Sequence, residues 1–141
     1  MINDGLKLKG KLAISLNGKI IQEVDNLVVT AGKGYVASRM KDTTATAMSH
    51  MAIGSGSTAA AASDTALGNQ LGRVALTSTT VSNAVVTYVA SFPAGTATGA
   101  VTEAAILNAS SGGTMLCRTV FSVVNKGASD SMTVTWTVTV S

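Results

Sequence analysis

The sequence is poor in charge, and the charge that it has is unevenly placed. Charged residues make up 12% of the 141 positions, about half the share of an average soluble domain. Seven of the ten Lys and Arg residues lie within positions 1–42, and this segment accounts for the net charge of +3. A nucleic-acid-binding protein would instead carry a basic stripe on its main fold. We therefore expect no nucleic-acid partner, and a surface kept in solution by Thr, Ser and Asn or covered by neighbouring subunits.

Residues that carry chemistry are also scarce. The single cysteine, Cys117, excludes an intramolecular disulfide and is expected to be buried within a strand. The single histidine, His50, has no His or Cys partner at metal-ligand spacing and is expected on a turn or at the surface. The acids are scattered singly, and a Ser or Cys nucleophile would lack both a base and a strand–turn–helix elbow. The sequence predicts no enzyme: no catalytic residue, no metal, no cofactor and no small-molecule substrate.

Long apolar runs are missing as well. No segment reaches the ~18 consecutive apolar residues that span a bilayer. The opening stretch MINDGLKLKGKLAISL has an acid, Asp4, and lysines where a secretory signal needs an apolar run. We expect synthesis in a cytoplasm and no membrane partner.

Strand-like alternation is what the sequence has in abundance. The run SMTVTWTVTV places apolar side chains at the even positions from Met132 to Val140 and threonines between them, which predicts a half-buried strand. The runs AVTEAAILNA and TMLCRTVFSVVN predict a hairpin joined through SSGG, and RVALTSTTVS and AVVTYVASF predict another around Asn83. The segment PAGTATG, with the only proline, predicts a loop.

The N-terminal third adds a hairpin and a helix. The run LKLKGKLAISL, then Asn17-Gly18, then KIIQEVDNLVV predicts a hairpin with leucines on one face and lysines on the other. The run TAGKGYVASRM predicts a short helix capped by Thr30, with Tyr35, Val36, Arg39 and Met40 on one side. Together the patterns predict an all-β, jelly-roll-like β-sandwich with one short helix. We expect a single domain over residues 1–141, with a basic hairpin at 1–25 and a core at 26–141.

The run MAIGSGSTAAAASDTALGNQLGRVAL, residues 51–76, invites comparison with a phosphate-binding loop. It has no Lys at phosphate-loop spacing, an incomplete dinucleotide fingerprint and no surrounding βαβ unit. The sequence instead predicts a loop followed by a helical turn that Asp64 caps and that directs Leu67 and Leu71 inward.

Five basic residues are candidates for contact with a partner. Lys7, Lys9 and Lys11 alternate along one strand face, where they either solvate the face and protect an exposed edge or contact an acidic partner surface. Arg39 and Arg118 are expected in a buried interface, because a guanidinium tolerates partial desolvation better than an ammonium does.

Three stretches carry a resemblance to a known family: NLVVTAGKGYVASRM, the glycine-containing run described above, and residues 87–141 with their TEAAILNA, GGTMLCRTVF and TVTWTVTV segments. Over about residues 26–141 the chain resembles the small capsid cement, or decoration, proteins of tailed bacteriophages, as found in a Bordetella podophage. The resemblance implies a homodimer on the outer capsid surface of the virion that clamps adjacent subunits of the major capsid protein, without catalytic residues. Members of this family also include tail-fibre proteins, so the alternative function is a tail-associated protein that binds a host surface glycan.

Overall fold

The computed structural model describes residues 6–41 and 46–141. Within these ranges the chain forms one helix and nine strands, and each strand pairing is antiparallel. The elements in chain order are β1 (Leu8–Leu16), β2 (Lys19–Val28), α1 (Thr30–Lys41), β3 (His50–Gly54), β4 (Gln70–Ala75), β5 (Ser78–Ser82), β6 (Val85–Phe92), β7 (Gly99–Leu107), β8 (Met115–Lys126) and β9 (Met132–Val140). The predicted all-β class with one helix is confirmed.

The strands form one sheet that curls into two layers. Their order is β4-β3-β7-β8-β2-β1-β9-β6-β5. Strand β2 lies at the bend, because it pairs with β1 from Lys19 to Asn26 and then with β8 at Leu27 and Val28. We call β2-β1-β9-β6-β5 the first layer and β4-β3-β7-β8 the second layer. The predicted sandwich therefore arises from a single curled sheet.

The main core lies between the two layers. The first layer contributes Leu12, Phe92 and Trp136, and the second contributes Ile53 and Ile106, all with 0% of their surface exposed. Alternation along each strand directs these side chains inward. Burial of such large apolar side chains stabilises the fold by roughly 1.5–3 kcal/mol each.

The N-terminal hairpin is built into the first layer. Asn17 and Gly18 have φ values of 50° and 82°, as the two-residue turn of a tight hairpin requires. Strand β1 then pairs with β9 as well as with β2, so it lies inside the sheet. The Asn17 side chain also donates to Asp130 Oδ1 at 2.9 Å, which ties this turn to the turn before β9. The hairpin is confirmed, and it is continuous with the core strands rather than a separate arm.

Helix α1 packs on β8 through a glycine. Gly32 is the buried residue of the helix, and a Cβ at this position would overlap the backbone carbonyl of Leu116. Tyr35 and Val36 pack against the main core as predicted, but Met40 is 82% exposed. The prediction that Thr30 caps the helix is wrong: Lys33 N–H donates to the Val29 carbonyl, so Thr30 already lies in the first turn.

Two sequence-based expectations for residues 50–82 are also wrong. The run RVALTSTTVS was expected as one strand, but it divides into β4 and β5, which lie at opposite ends of the sheet order. His50 was expected on a turn or at the surface, but it is half-buried and begins β3, a short strand that is buried from Met51 to Gly54. A five-residue strand that is buried on both faces has no alternation by which it could be recognised.

The two glycines of the helix give a matched pair of substitutions. Gly32→Ala should destabilise the protein by about 1–3 kcal/mol, because the added methyl meets the Leu116 backbone. Gly34→Ala meets nothing within 4 Å and should stabilise it by about 0.5–1 kcal/mol, because alanine is the better helix former. Urea unfolding of both variants measures the difference; equal effects would contradict the packing of α1 on β8.

Candidate functional site

A buried ion pair lies on the side of the second layer that faces away from the main core. Glu103 of β7 lies on the same face of the strand as Ala105 and Leu107. These two residues belong to a second, smaller apolar cluster on that side. Arg118 of β8 lies next to it, with Nη2 at 3.0 Å and Nε at 3.2 Å from Glu103 Oε1. Glu103 is 0% exposed and Arg118 is 2% exposed. Two opposite charges are thus held together without access to water.

Backbone N–H groups of the glycine-containing run complete the coordination of Glu103. Gly56 and Asn69 donate to Oε2 at 2.7 and 2.8 Å, and Gly68 donates to Oε1 at 2.8 Å. A side chain at position 56 would overlap the Glu103 carboxylate. The run therefore binds an anion, which the sequence analysis did not predict, and the anion is a carboxylate of the same chain.

Arg118 connects the ion pair to the middle of the same loop. Its Nη1 donates to Asp64 Oδ2 at 2.8 Å and its Nη2 donates to the Thr58 carbonyl at 2.9 Å. Asp64 also accepts the N–H of Ala61 at 2.8 Å. The predicted helical turn at Asp64 does not form, because the Asp64 carboxylate instead closes the turn at residues 61–64 and receives Arg118. Leu67 and Leu71 do pack inward, Leu67 on the small cluster and Leu71 on the main core.

Hydrogen bonds lower the pKa values of Glu103 and Asp64. Burial would raise the pKa of Glu103, but the N–H donors of Asn69 and Gly68, the guanidinium of Arg118 and the N–H of Gly56 together hold it below its ordinary value. The Ala61 N–H and then Arg118 likewise lower the pKa of Asp64 against the opposing effect of burial. Both groups are ionised at neutral pH and complement the Arg118 cation.

This arrangement is suited to holding the fold rather than to performing chemistry. The Glu103 carboxylate already accepts five hydrogen bonds, so it has little capacity left to accept a proton from a substrate. Three clefts of the described residues lie along β1 and its neighbours β2, β9 and α1, and none of these is lined by Glu103, Arg118 or Asp64. We conclude that the ion pair fixes the loop at residues 55–69 over the second layer.

His50 makes one local contact. The Ser49 hydroxyl lies 2.7 Å from His50 Nδ1, a hydrogen bond between chain neighbours. Neither residue lines any of the three clefts along β1 and its neighbours. Among the described residues, no group of three or more His, Cys, Asp and Glu is placed to hold a metal ion. Cys117 is buried, as predicted, and burial raises the pKa of its thiol well above the usual range.

The five candidate contact residues differ in exposure and lie in different parts of the structure. Lys7, Lys9 and Lys11 are exposed, and Lys11 Nζ lies 3.3 Å from Glu23 Oε2 in a pair that is more than half exposed on each side. Because β1 lies between β2 and β9, these lysines do not protect a sheet edge. Arg39 is exposed in the last turn of α1. The expectation for Arg118 is corrected. Its guanidinium bonds Glu103, Asp64 and the Thr58 carbonyl within the chain, so we no longer expect it to contact a partner.

Two of these lysines line a cleft between α1 and the ends of β1 and β9. The cleft has a volume of about 460 Å³. Its lining consists of apolar side chains with three lysines among them: Leu6, Leu8, Val36, Ala37, Met40 and Val140, with Lys7, Lys9 and Lys33. Leu6 and Met40 are 71% and 82% exposed. The cleft thus combines basic and exposed apolar side chains, and contact of these lysines with an acidic partner surface stays a prediction.

Two buried charged residues were missed by the sequence analysis. Glu103 was treated as a scattered acid, although a lone acid within a strand whose hairpin partner carries a lone arginine is a usable signal. Lys126 at the end of β8 is 1% exposed, and its Nζ donates to the Pro93 carbonyl at 3.0 Å. It closes the loop at residues 93–98 over the end of the sandwich.

Comparison with protein-family models, with curated proteins and with solved structures gives no match. In the described part of the chain, the helix is too short and too polar to cross a membrane.

Removing the charge of Glu103 should destabilise the protein strongly. Glu103→Gln leaves Arg118 buried with only Asp64 as a counter-charge and places an amide NH₂ against backbone donors, which should cost about 3–5 kcal/mol. Glu23→Gln removes an exposed acid of the same type and should change stability by at most about 0.5 kcal/mol. Urea unfolding at pH 7 compares the two variants; similar small effects would contradict the structural role of Glu103.

The lowered pKa values also predict acid sensitivity. An acid whose pKa is lower in the folded chain stabilises the fold above its unfolded value, about 3.9–4.3, and loses this contribution as the pH falls towards the folded value. Unfolding free energy should therefore be nearly constant from about pH 7 to 5 and should fall below about pH 4.5. The fall should be shallower in Glu103→Gln; parallel pH profiles for the two proteins would show that Glu103 does not contribute.

Proposed function

We propose that this chain is a capsid cement, or decoration, protein of a tailed bacteriophage. In this proposal it lies as a homodimer on the outer capsid surface and clamps adjacent subunits of the major capsid protein. The sequence resemblance over residues 26–141 is the starting point. The structural observation that supports it most is the outer side of the first layer, which is rich in threonine on β5, β6 and β9 and is bordered by Lys9, Lys11 and Glu23 of β1 and β2.

We call this surface the threonine face. It consists of threonines from three neighbouring strands: Thr80, Thr87, Thr133, Thr135, Thr137 and Thr139. They alternate on β9 with the buried residues Met132, Val134, Trp136 and Val138, so they point outward. Threonine hydroxyls and methyls can bond and pack without a desolvation cost as large as that of charged groups.

The position of the aromatic residues also supports this proposal over a glycan-binding one. Proteins that bind sugars at their surface commonly stack them on exposed aromatic rings, which need one accessible face. Tyr88, Phe92, Phe121 and Trp136 are at most 9% exposed, and Tyr35 packs on the core. Four of the five aromatic rings are therefore buried and Tyr35 is half-buried, so the described residues offer little aromatic surface on which a sugar could stack.

A rigid domain of this kind can stabilise a shell by simple linkage. A protein that binds only the assembled lattice shifts the equilibrium towards that lattice in proportion to its occupancy. Because each copy would contact several subunits, modest affinity at each contact is sufficient.

Copy number in the intact particle tests the proposal. Cryo-electron microscopy of virions that contain this chain should show ordered density repeated across the outer shell, with hundreds of copies per particle. Density confined to the tail, or only a few copies, would refute the cement function and favour a tail-associated one. Thr135→Glu should lower shell occupancy at least about ten-fold, because it places a charge in the threonine face. Thr98→Glu, on an exposed loop, is the matched control and should leave occupancy unchanged.

A further inference from the structure

Strand β5 forms an open edge of the sheet. Among the described residues it pairs only with β6, from Ser78 opposite Val89 to Ser82 opposite Val85. All five residues of β5 are exposed, and Val81 is 70% exposed. An edge strand presents a row of backbone N–H and C=O groups that can pair with another strand.

This edge lacks several of the features by which proteins block such pairing. Its sequence, STTVS, has no charge and no proline, and its pairing with β6 has no bulge. The opposite edge differs, because β4 carries Arg73 and its pairing with β3 is irregular between Ile53 and Gly54. Natural sheets protect free edges with charges, prolines and bulges. Only one edge of this sheet is therefore protected.

We propose that β5 pairs antiparallel with β5 of a second copy of this chain, across a two-fold axis near Thr80. This places Thr80 opposite Thr80 of the other copy, and Ser78 opposite Ser82. The two first layers would then join into one continuous sheet. The inference deepens the proposed function by naming the contact that makes the homodimer.

The charge distribution favours a second copy over a different partner. A two-fold axis brings identical residues together, so any charge near it meets its own sign. No charged residue occurs between Arg73 and Glu103, a stretch that contains β5, β6 and both of their connecting turns.

The side chains of β5 also suit this contact. Thr79 and Val81 lie opposite Tyr88 and Val86, whose side chains pack on the main core, so they point to the inner side of the first layer. Val81 nevertheless remains exposed there. In the proposed register each Val81 lies opposite Thr79 of the other copy, and the pairing buries both valines. On the outer side, Thr80 would connect the two threonine faces.

The test is the oligomeric state of the full chain in solution. Sedimentation equilibrium should show a monomer–dimer equilibrium, and Val81→Lys should raise the dimer dissociation constant at least about ten-fold because two lysines then meet near the axis. Val123→Lys, at a position 53% exposed on β8, is the matched control and should not change it. A wild-type chain that stays monomeric at high concentration, or a dimer that only Val123→Lys weakens, would overturn the proposal.

Cross-linking tests the register. Residues directly opposite in an antiparallel pair have Cα atoms about 4.5–5.5 Å apart, within the range of a disulfide. Thr80→Cys should therefore form a disulfide-linked dimer under mild oxidation, and Thr98→Cys should not; Cys117 is buried and does not interfere. Equal cross-linking of both variants would overturn the placement of the axis. These experiments use the isolated chain rather than virions. The dimer contact can therefore be refuted while the capsid function holds, and the capsid function can be refuted while the dimer contact holds.

Discussion

The burial of one carboxylate constrains much of this structure. A carboxylate without water must have its hydrogen-bonding capacity filled, or its ionisation would be very costly. Glu103 obtains its donors from Arg118 and from a loop that must approach closely enough for Gly56, Gly68 and Asn69 to reach it. That requirement fixes the path of residues 55–69 across the second layer.

The same loop supports the start of the helix. Thr30 N–H donates to the Ala62 carbonyl at 2.8 Å, so an N–H group that a helix start leaves without an intrahelical partner is satisfied by the loop. Leu67 of the loop packs on the small cluster that includes Val29, the residue before α1. The loop and the helix start are thus held together by apolar contact as well as by hydrogen bonds, and Arg118 and Glu103 position the loop. A change at the ion pair is therefore expected to reach the helix through Ala62.

Local patterns in the sequence were sufficient for some elements and insufficient for others. Strand β9 and the Asn17-Gly18 turn are determined by neighbouring residues, and the sequence predicted both correctly. The division of residues 73–82 into two strands was not predictable, because high β propensity continues across Leu76 and Thr77 while the chain leaves one layer for the other. The ion pair could be predicted only in part: a hairpin places Glu103 near Arg118, but the loop donors lie 34 to 47 residues away in sequence.

The two layers differ in what covers their outer sides, and this difference bears on the proposed function. The second layer is covered outside by the loop at 55–69, whereas the threonine face of the first layer and the open edge at β5 are adjacent, and their strands β5, β6 and β9 carry no charged residue. Surfaces without charge of either sign are poorly protected against association. Since Thr80 belongs to both the open edge and the threonine face, pairing at the edge would double the threonine face without interrupting it. A dimer made in this way would present one extended threonine-rich surface bordered by Lys9 and Lys11 of each copy, which suits simultaneous contact with several identical neighbours better than two separate faces would.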